Sequence, residues 1–248
     1  AEDFQLYYQP KVDLKTWTVV GVEALIRWKH AERGWISPGD FIPIAEESGL
    51  IVPIGTWVLN EACRQINAWR DSPLRNIRVS VNISSEQIYT DDLLQTVKDA
   101  MAAHNVGAES LELEITESLL MRDVDSTIVT LNEFKELGLA ISIDDFGTGY
   151  SSLSYLTRFP IDTLKIDQSF VRDLHIDNDD AAICAAILAM ARKLNLNVVA
   201  EGVEISEQLH FLRGHGCNQI QGYLYSKPLP PDELQELIGT NMRKSAYA

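Results

Sequence analysis

Short apolar runs alternate with longer stretches of helical period along the chain, and the changes of rhythm set out its elements. Phe4 to Leu14 and Thr18 to Trp28 read as strands joined by the turn Lys15-Thr16-Trp17. A parallel crossover needs about a dozen residues or more, so this pair is expected to be an antiparallel hairpin with Gln9 opposite Glu23. Helices are expected near Pro38 to Glu47, Ile54 to Arg70, Asp91 to His104, Val124 to Leu137 and Pro231 to Ile238. Strands are expected at Ile77 to Asn82, Leu111 to Ile115, Leu139 to Asp144, Thr163 to Ile166, Asn197 to Ala200 and Asn218 to Ile220. Strands that alternate with helices, with no internal repeat or low-complexity segment, predict an α/β fold: a TIM-like (β/α)8 barrel with the first strand antiparallel. A doubly wound open sheet is the alternative that periodicity alone leaves standing.

Composition supports one domain. With 248 residues, 46% of them hydrophobic, the whole of 1–248 can close around a single core, because barrels of this type run to roughly 250 residues. The first strand starts almost at the first residue, and no signal peptide precedes it. The chain therefore reads as a domain excised from a larger multidomain protein. A net charge of -15 argues against binding to DNA or RNA polymers, which calls for a basic stripe. The longest fully apolar run, Ala181 to Ala191, is flanked by Asp180 and Arg192 and falls short of the ~20 residues of a membrane span. It is expected to be a buried helix. The expected location is cytoplasmic, with any membrane anchor of the full-length protein lying outside this chain. Cys63, Cys184 and Cys217 are too few and too scattered for a disulfide framework or a zinc site, and are read as core residues in a reducing compartment.

The chemistry gathers where the strands end. Glu23, Asn82, Glu114, Asp144 with Asp145, Lys165 with Asp167, Glu201 and Gln221 all stand at or just beyond a predicted strand's C-terminal end. In a barrel those ends converge on one face. Taken singly, Glu114 reads as the solvent face of a strand, Asp144 and Asp145 as a helix N-cap pair and Lys165 as a surface amine. Taken together they would repel one another and lose hydration unless something positive sits among them. Carboxylates with an amide oxygen, and no His or Cys at any strand end, favour Mg2+ or Mn2+ over zinc. The histidines at 30, 104, 175, 210 and 215 fall in expected helix or loop stretches and are read as structural or exposed. Adjacent Asp144 and Asp145 reach one site only if the chain turns at once, which Gly147 and Gly149 permit. Two adjacent acids at a turn could bridge two metal ions, a usual device for displacement at a phosphodiester. In the strand GVEALIRW, Gly21, Glu23, Leu25 and Arg27 share one face.

Glu23-Ala24-Leu25 within the Glu-x-Leu-x-Arg pattern resembles the signature of the EAL-domain cyclic di-GMP phosphodiesterases. The resemblance continues through VNIS (81–84), ELEITES (112–118), DDFGTGYSSL (144–153), LKIDQSFV (164–171), AEGVE (200–204) and QGYLYSKPLP (221–230), and so covers essentially the whole chain. It implies hydrolysis of one phosphodiester bond of cyclic di-GMP to linear pGpG, by water attack at a two-metal site holding Mg2+ or Mn2+. Glu23, Asn82, Glu114 and Asp144 are then expected metal ligands, with Asp145, Asp167 and Glu201 completing or supporting the site. Lys165 is expected to position the attacking water, Gln221 to help hold it and Glu117 to support the loop after Asp145. Gln9, Leu25 and Arg27 resemble substrate contacts, with Arg27 expected on a phosphate oxygen.

The resemblance further implies a homodimer whose interface touches the loop from Asp145 to Leu153, with sensory or GGDEF-type domains outside this chain. Some members of the family act instead as catalytically silent cyclic di-GMP receptors or interaction modules, but no substitution among the expected ligands is seen here. A metal-dependent barrel enzyme for proton abstraction or aldol chemistry, with Lys165 as base or Schiff-base amine, is a second alternative. Trp17 departs from the Gly frequent in the family's hairpin turn, which bears only on local turn geometry.

Overall fold

A computed structural model of the chain describes residues 3–89, 92–120, 122–149 and 153–245. Asp91, expected to open a helix, and positions 150–152 of the DDFGTGYSSL segment lie outside the described residues.

The first hairpin forms as its short turn requires. Strand β1 (Phe4–Asp13) runs antiparallel to β2 (Val19–His30), with Gln9 directly opposite Glu23. Asp13 ties the turn by accepting the backbone N–H groups of Lys15 at 2.9 Å and Thr16 at 2.7 Å. Trp17 sits in that turn at φ +58°, a region where a side chain costs roughly 1 kcal/mol or more and glycine costs little. Its ring is held edge-on to Tyr225 at 6.2 Å, with the Arg213 guanidinium 5.3 Å from its centre. These contacts offset part of the strain.

Strand β2 runs on past the barrel and pairs with a short strand, β3 (Gly34–Ile36), that the hydrophobic pattern did not predict. One of the histidines expected in helix or loop, His30, is therefore the last residue of a strand. The pattern failed here because β3 is three residues long and largely exposed, so it has no period to detect.

Six parallel strands follow: β4 (Arg78–Ile83), β5 (Leu111–Thr116), β6 (Ala140–Phe146), β7 (Thr163–Ile166), β8 (Asn197–Ala200) and β9 (Gln219–Ile220). Each pairs with the next, β4 pairs with β2, and β1 closes the circle by pairing antiparallel with both β2 and β9. The result is a closed eight-stranded barrel with β3 hanging from its edge, and the open doubly wound sheet is excluded.

Two helices differ from expectation at their ends. The second spans Ile51–Ala68 rather than starting at Ile54, because Pro53 lies in its first turn, where no backbone donor is needed. The last spans Pro231–Ser245 rather than stopping at Ile238. The apolar run 181–191 lies in the helix Asn178–Lys193, which buries one face through Cys184, Ile187, Leu188 and Ala191 and leaves Ile183 exposed. All three cysteines are buried and free, as expected.

The strands are covered on both sides, but by different chemistry. Val79, Val81, Leu111, Leu113, Ile115, Ile141, Ile143, Leu164, Ile166 and Val198 are buried in the hydrophobic core. Alternating with them are buried polar residues: Ser80, Glu112, Glu114, Ser142, Thr163 and Lys165, joined by Lys11 from β1. Barrels of this kind usually fill their interior with branched apolar side chains, so a polar interior marks this one for something other than packing.

Past β9, Gly222 passes so close to the chain at Val203 that an added Cβ would stand 2.2 Å from its carbonyl oxygen and 2.3 Å from its nitrogen. Neither backbone atom can swing away. Gly222→Ala is therefore expected to cost about 2 kcal/mol or more in a urea unfolding titration, with the midpoint lowered and the slope unchanged.

Candidate active site

The strand ends deliver their polar residues to one cup, at whose centre is the Lys165 ammonium from β7, 1% exposed. Its Nζ lies 2.5 Å from Glu114 Oε2, 2.8 Å from Glu201 Oε1, 3.0 Å from Asp144 Oδ1 and 3.5 Å from Glu23 Oε2. The positive charge expected among the carboxylates is thus supplied in part by the chain itself. Glu114 is not on a solvent face, and Lys165 is not a surface amine.

Around this centre the other expected residues take their places. Glu23 accepts from Asn82 Nδ2 at 2.7 Å on one oxygen and from Gln221 Nε2 at 2.5 Å on the other. Gln221 also donates to Gln9 Oε1 at 3.1 Å, so the pairing of Gln9 with Glu23 across the hairpin is completed by a third strand end. Leu25, Arg27 and Asn82 line a cavity of about 300 Å3 beside the cup. Arg27 is half-buried, with its guanidinium 5.7 Å from the centre of the Tyr7 ring.

Asp144 and Asp145 do reach the same site, by a different turn from the one expected. The pairing of β6 with β7 slips between Ile143 and Phe146, and Asp145 itself takes φ +53°. Its backbone N–H donates to Asp144 Oδ1 at 3.0 Å. Gly147 follows at φ +103°, and its N–H donates to Glu117 Oε2 at 2.7 Å. Asp167 stands apart from the centre, capping the short helix Gln168–Arg172 by accepting from the Ser169 backbone and hydroxyl.

Sequence reasoning missed the layer beneath the cup. Lys11, also buried, donates to Glu114 Oε1 at 2.6 Å, Ser80 Oγ at 2.6 Å and Glu112 Oε1 at 3.0 Å. The signal was available: Lys11 is two residues from Gln9 and Glu112 two from Glu114, and residues two apart on a strand share a face.

The electrostatics follow from burial and neighbours. Burial raises the Glu114 carboxyl, but the ammonium groups of Lys11 and Lys165 outweigh it and hold the group down at about 2. Burial raises Glu201 to about 8, with Asp144 and Glu23 adding to the rise against the pull of Lys165. Asp145 is raised to about 6 by partial burial and by Asp144 and Asp167 beside it. Lys165 moves well above its ordinary value, because the surrounding carboxylates outweigh the opposing effect of burial. A Schiff base calls for a neutral amine, and the carboxylates around Lys165 favour its ammonium form.

The donor set fits a hard divalent ion. Glu23, Glu114 and Asp144 bring carboxylate oxygens within 4.8 Å of one another, and Asp144, Asp145 and Glu201 do the same, so two groupings share Asp144. All these donors are oxygens, as Mg2+ and Mn2+ prefer. The buried Gln221 Oε1 has no hydrogen-bond partner among the described residues, leaving one more acceptor beside Glu23. Lys11 and Lys165 face Glu23, Glu112, Glu114, Asp144 and Glu201, so the buried cluster carries more carboxylates than ammonium groups.

Fold and site together define an acid-cupped β/α barrel suited to divalent cations. The model of the EAL domain matches residues 1–228, and the chain belongs to this family. It is 49% identical over 229 residues to the bifunctional diguanylate cyclase/cyclic di-GMP phosphodiesterase MucR of Pseudomonas aeruginosa, covering 92% of this chain and 33% of that protein. It is 45% identical over 227 residues to the cyclic di-GMP phosphodiesterase PdeR of Escherichia coli, covering 91% and 34%. The chain thus spans about a third of the length of these relatives. Among solved structures, the PaMucR phosphodiesterase in complex with c-di-GMP superposes with a TM-score of 0.91 at 48% identity, over 94% of each chain.

A carboxyl whose folded pKa lies above its unfolded one binds more protons when folded, so its contribution to stability falls as pH rises through that window. For Glu201 the window runs from the usual carboxyl range up to about 8. The metal-free chain is expected to melt at a lower temperature at pH 8 than at pH 6, and Glu201→Gln to flatten that difference in a pH series of thermal melts.

Proposed function

We propose that this chain is a cyclic di-GMP phosphodiesterase that yields linear pGpG with the help of two Mg2+ or Mn2+ ions. The observation that carries this reading is the pair of carboxylate groupings sharing Asp144 around a buried ammonium. The named activities of MucR and PdeR, and the ligand in the MucR complex, supply the substrate.

Glu23, Asn82, Glu114 and Asp144 would hold one ion, and Asp144 or Asp145 with Glu201 the other, with Asp167 supporting Asp145. When bound, the ions supply Lewis acidity toward an attacking water and charge against the phosphate oxygens. Lys165 donates hydrogen bonds within the cup, and its firm ammonium orients the water and stabilises charge developing on phosphorus-bound oxygen. Gln221, fixed by Gln9 and Glu23, helps to hold that water. Arg27 pairs with a non-bridging phosphate oxygen, and Leu25 packs between it and Glu23. Glu117 fixes the loop that carries Asp145. The product pGpG ends in a 5′ phosphate, so the water oxygen joins phosphorus as the bond to the ribose O3′ breaks, and the proton lost by water balances the one gained by the leaving oxygen.

Homodimerisation through the loop after Asp145, and control by sensory or GGDEF-type domains, belong to the same proposal. So does a cytoplasmic site of action. Among the described residues, no helix is long and apolar enough to cross a membrane.

Purified chain incubated with cyclic di-GMP and Mg2+ or Mn2+ is expected to release pGpG, with the activity abolished by a chelator and by Glu23→Ala. With Mg2+ or Mn2+ present, Lys165→Met is expected to lower kcat by about 100-fold or more while leaving cyclic di-GMP binding in place. Tight binding of cyclic di-GMP without turnover by the unaltered chain would instead make it a receptor.

A further inference from the structure

Lys11 does work for the cup that none of its expected residues accounts for. It enters from β1, and β1 neighbours only β2 and β9 in the barrel. Yet its ammonium meets side chains of β4 and β5, so its stem must cross the barrel interior. Gly21 pairs with Lys11 across the hairpin, and a Cβ added there would lie in ordinary contact with the stem, 3.7 Å from Lys11 Cδ. At the far end the three N–H bonds of the ammonium have three acceptors: Ser80 Oγ, Glu112 Oε1 and Glu114 Oε1. Ser80 in turn donates to Glu112 Oε1 at 3.0 Å, and Arg78 lies 3.7 Å from Glu112 Oε2. Charges therefore alternate along the barrel, from Arg78 through Glu112, Lys11 and Glu114 to Lys165.

Glu114 is the carboxylate of this column that faces the cup, and its two oxygens are treated differently. Oε1 is held from below by Lys11, and Oε2 is turned toward Lys165 and the other cup carboxylates. A carboxylate free to rotate would present either oxygen or both. One fixed from beneath presents a single oxygen in a single place.

We propose that Lys11 is a positioning residue, a strut across the barrel that pins Glu114 Oε1 so that Oε2 is presented to a divalent cation. The proposal rests on the cation-binding reading of the cup. Groups that orient metal ligands from behind commonly change metal affinity by about 10- to 100-fold when removed. The length of a lysine is required because the anchor must reach from one wall of the barrel to the other.

The test is calorimetric titration of the chain with Mn2+ in the absence of substrate. Lys11→Met combined with Glu112→Gln removes one charge of each sign, so the layer keeps its net charge while it loses the anchor and the Arg78–Glu112 ion pair. The double variant is expected to melt cooperatively, to bind Mn2+ about tenfold or more weakly and to lose kcat with KM for cyclic di-GMP within about twofold. A purely structural role for Lys11 would lower the melting temperature and leave Mn2+ affinity of the folded protein unchanged, and that result overturns the proposal. Should the double variant not fold, Ser80→Ala decides: loosening one of the three anchors is expected to weaken Mn2+ binding by about two- to fivefold, and an unchanged constant overturns the strut. Failure of the unaltered chain to bind Mn2+ would sink the cation reading itself, and the proposal with it.

Discussion

The contact on which the rest of the molecule depends is the buried ion cluster at Lys165. Its four carboxylate neighbours come from β2, β5, β6 and the residue after β8, so a single ammonium joins segments far apart in the sequence. A lone carboxylate at that depth would face a desolvation penalty of several kcal/mol, and several together would add mutual repulsion. One lysine cannot neutralise them all, and the unevenness shows: Glu114, touched by two ammonium groups, stays ionised to low pH, whereas Glu201 holds its proton to about 8. The excess of negative charge makes the cup receptive to cations. The lysine keeps the fold from being pushed apart where no cation is bound.

The reversed first strand is how the fold reaches this arrangement. In an all-parallel barrel every strand feeds the same face through its C-terminal end. Because β1 runs the other way, it contributes residues from its middle: Gln9 at the level of Glu23, and Lys11 one layer down. The hairpin fixes both heights at once, since a shift of register by one residue would turn every β1 side chain to the opposite face. The left-handed Trp17 backbone in the turn is thus strain tolerated in a connection that sets the register of the site.

Much of this was legible in the sequence because parallel strands impose simple rules. Leu111-Glu112-Leu113-Glu114-Ile115 alternates cleanly, the hairpin turn is too short for a crossover, and the polar strand ends are conspicuous against apolar runs. What escaped notice has physical reasons. Both faces of β5 are buried, and Glu112 faces charged partners whose distance in sequence hides them. The role of Lys11 is hidden for the same cause, since its acceptors at 80, 112 and 114 are revealed only by closure of the barrel. The start of the helix at Ile51 was obscured by Pro53, and β3 was too short to show a period. Propensity points to the glycines as the site of the turn and gives no warning of Asp145 in a left-handed conformation.

That conformation sets the two carboxylate groupings apart. Glu23, Glu114 and Asp144 stand on paired strands, and Glu23 and Glu114 are braced further by Gln221, Asn82, Lys11 and Lys165. The second grouping depends on Asp145, whose backbone costs roughly 1 kcal/mol or more to hold and is kept in place by Asp144 and by Glu117 through Gly147. The bracing leaves no room for larger residues: a Cβ at Gly149 would meet Glu117 Oε1 at 2.7 Å, and one at Gly147 would meet the Phe170 ring at 2.8 Å. Most of the cup is therefore built into the barrel, and the place of Asp145 is conditional on a turn held by Asp144 and Glu117. Any influence that moves this loop acts on Asp145 and its partners first, while the strand-borne carboxylates and Lys165 remain where the barrel puts them.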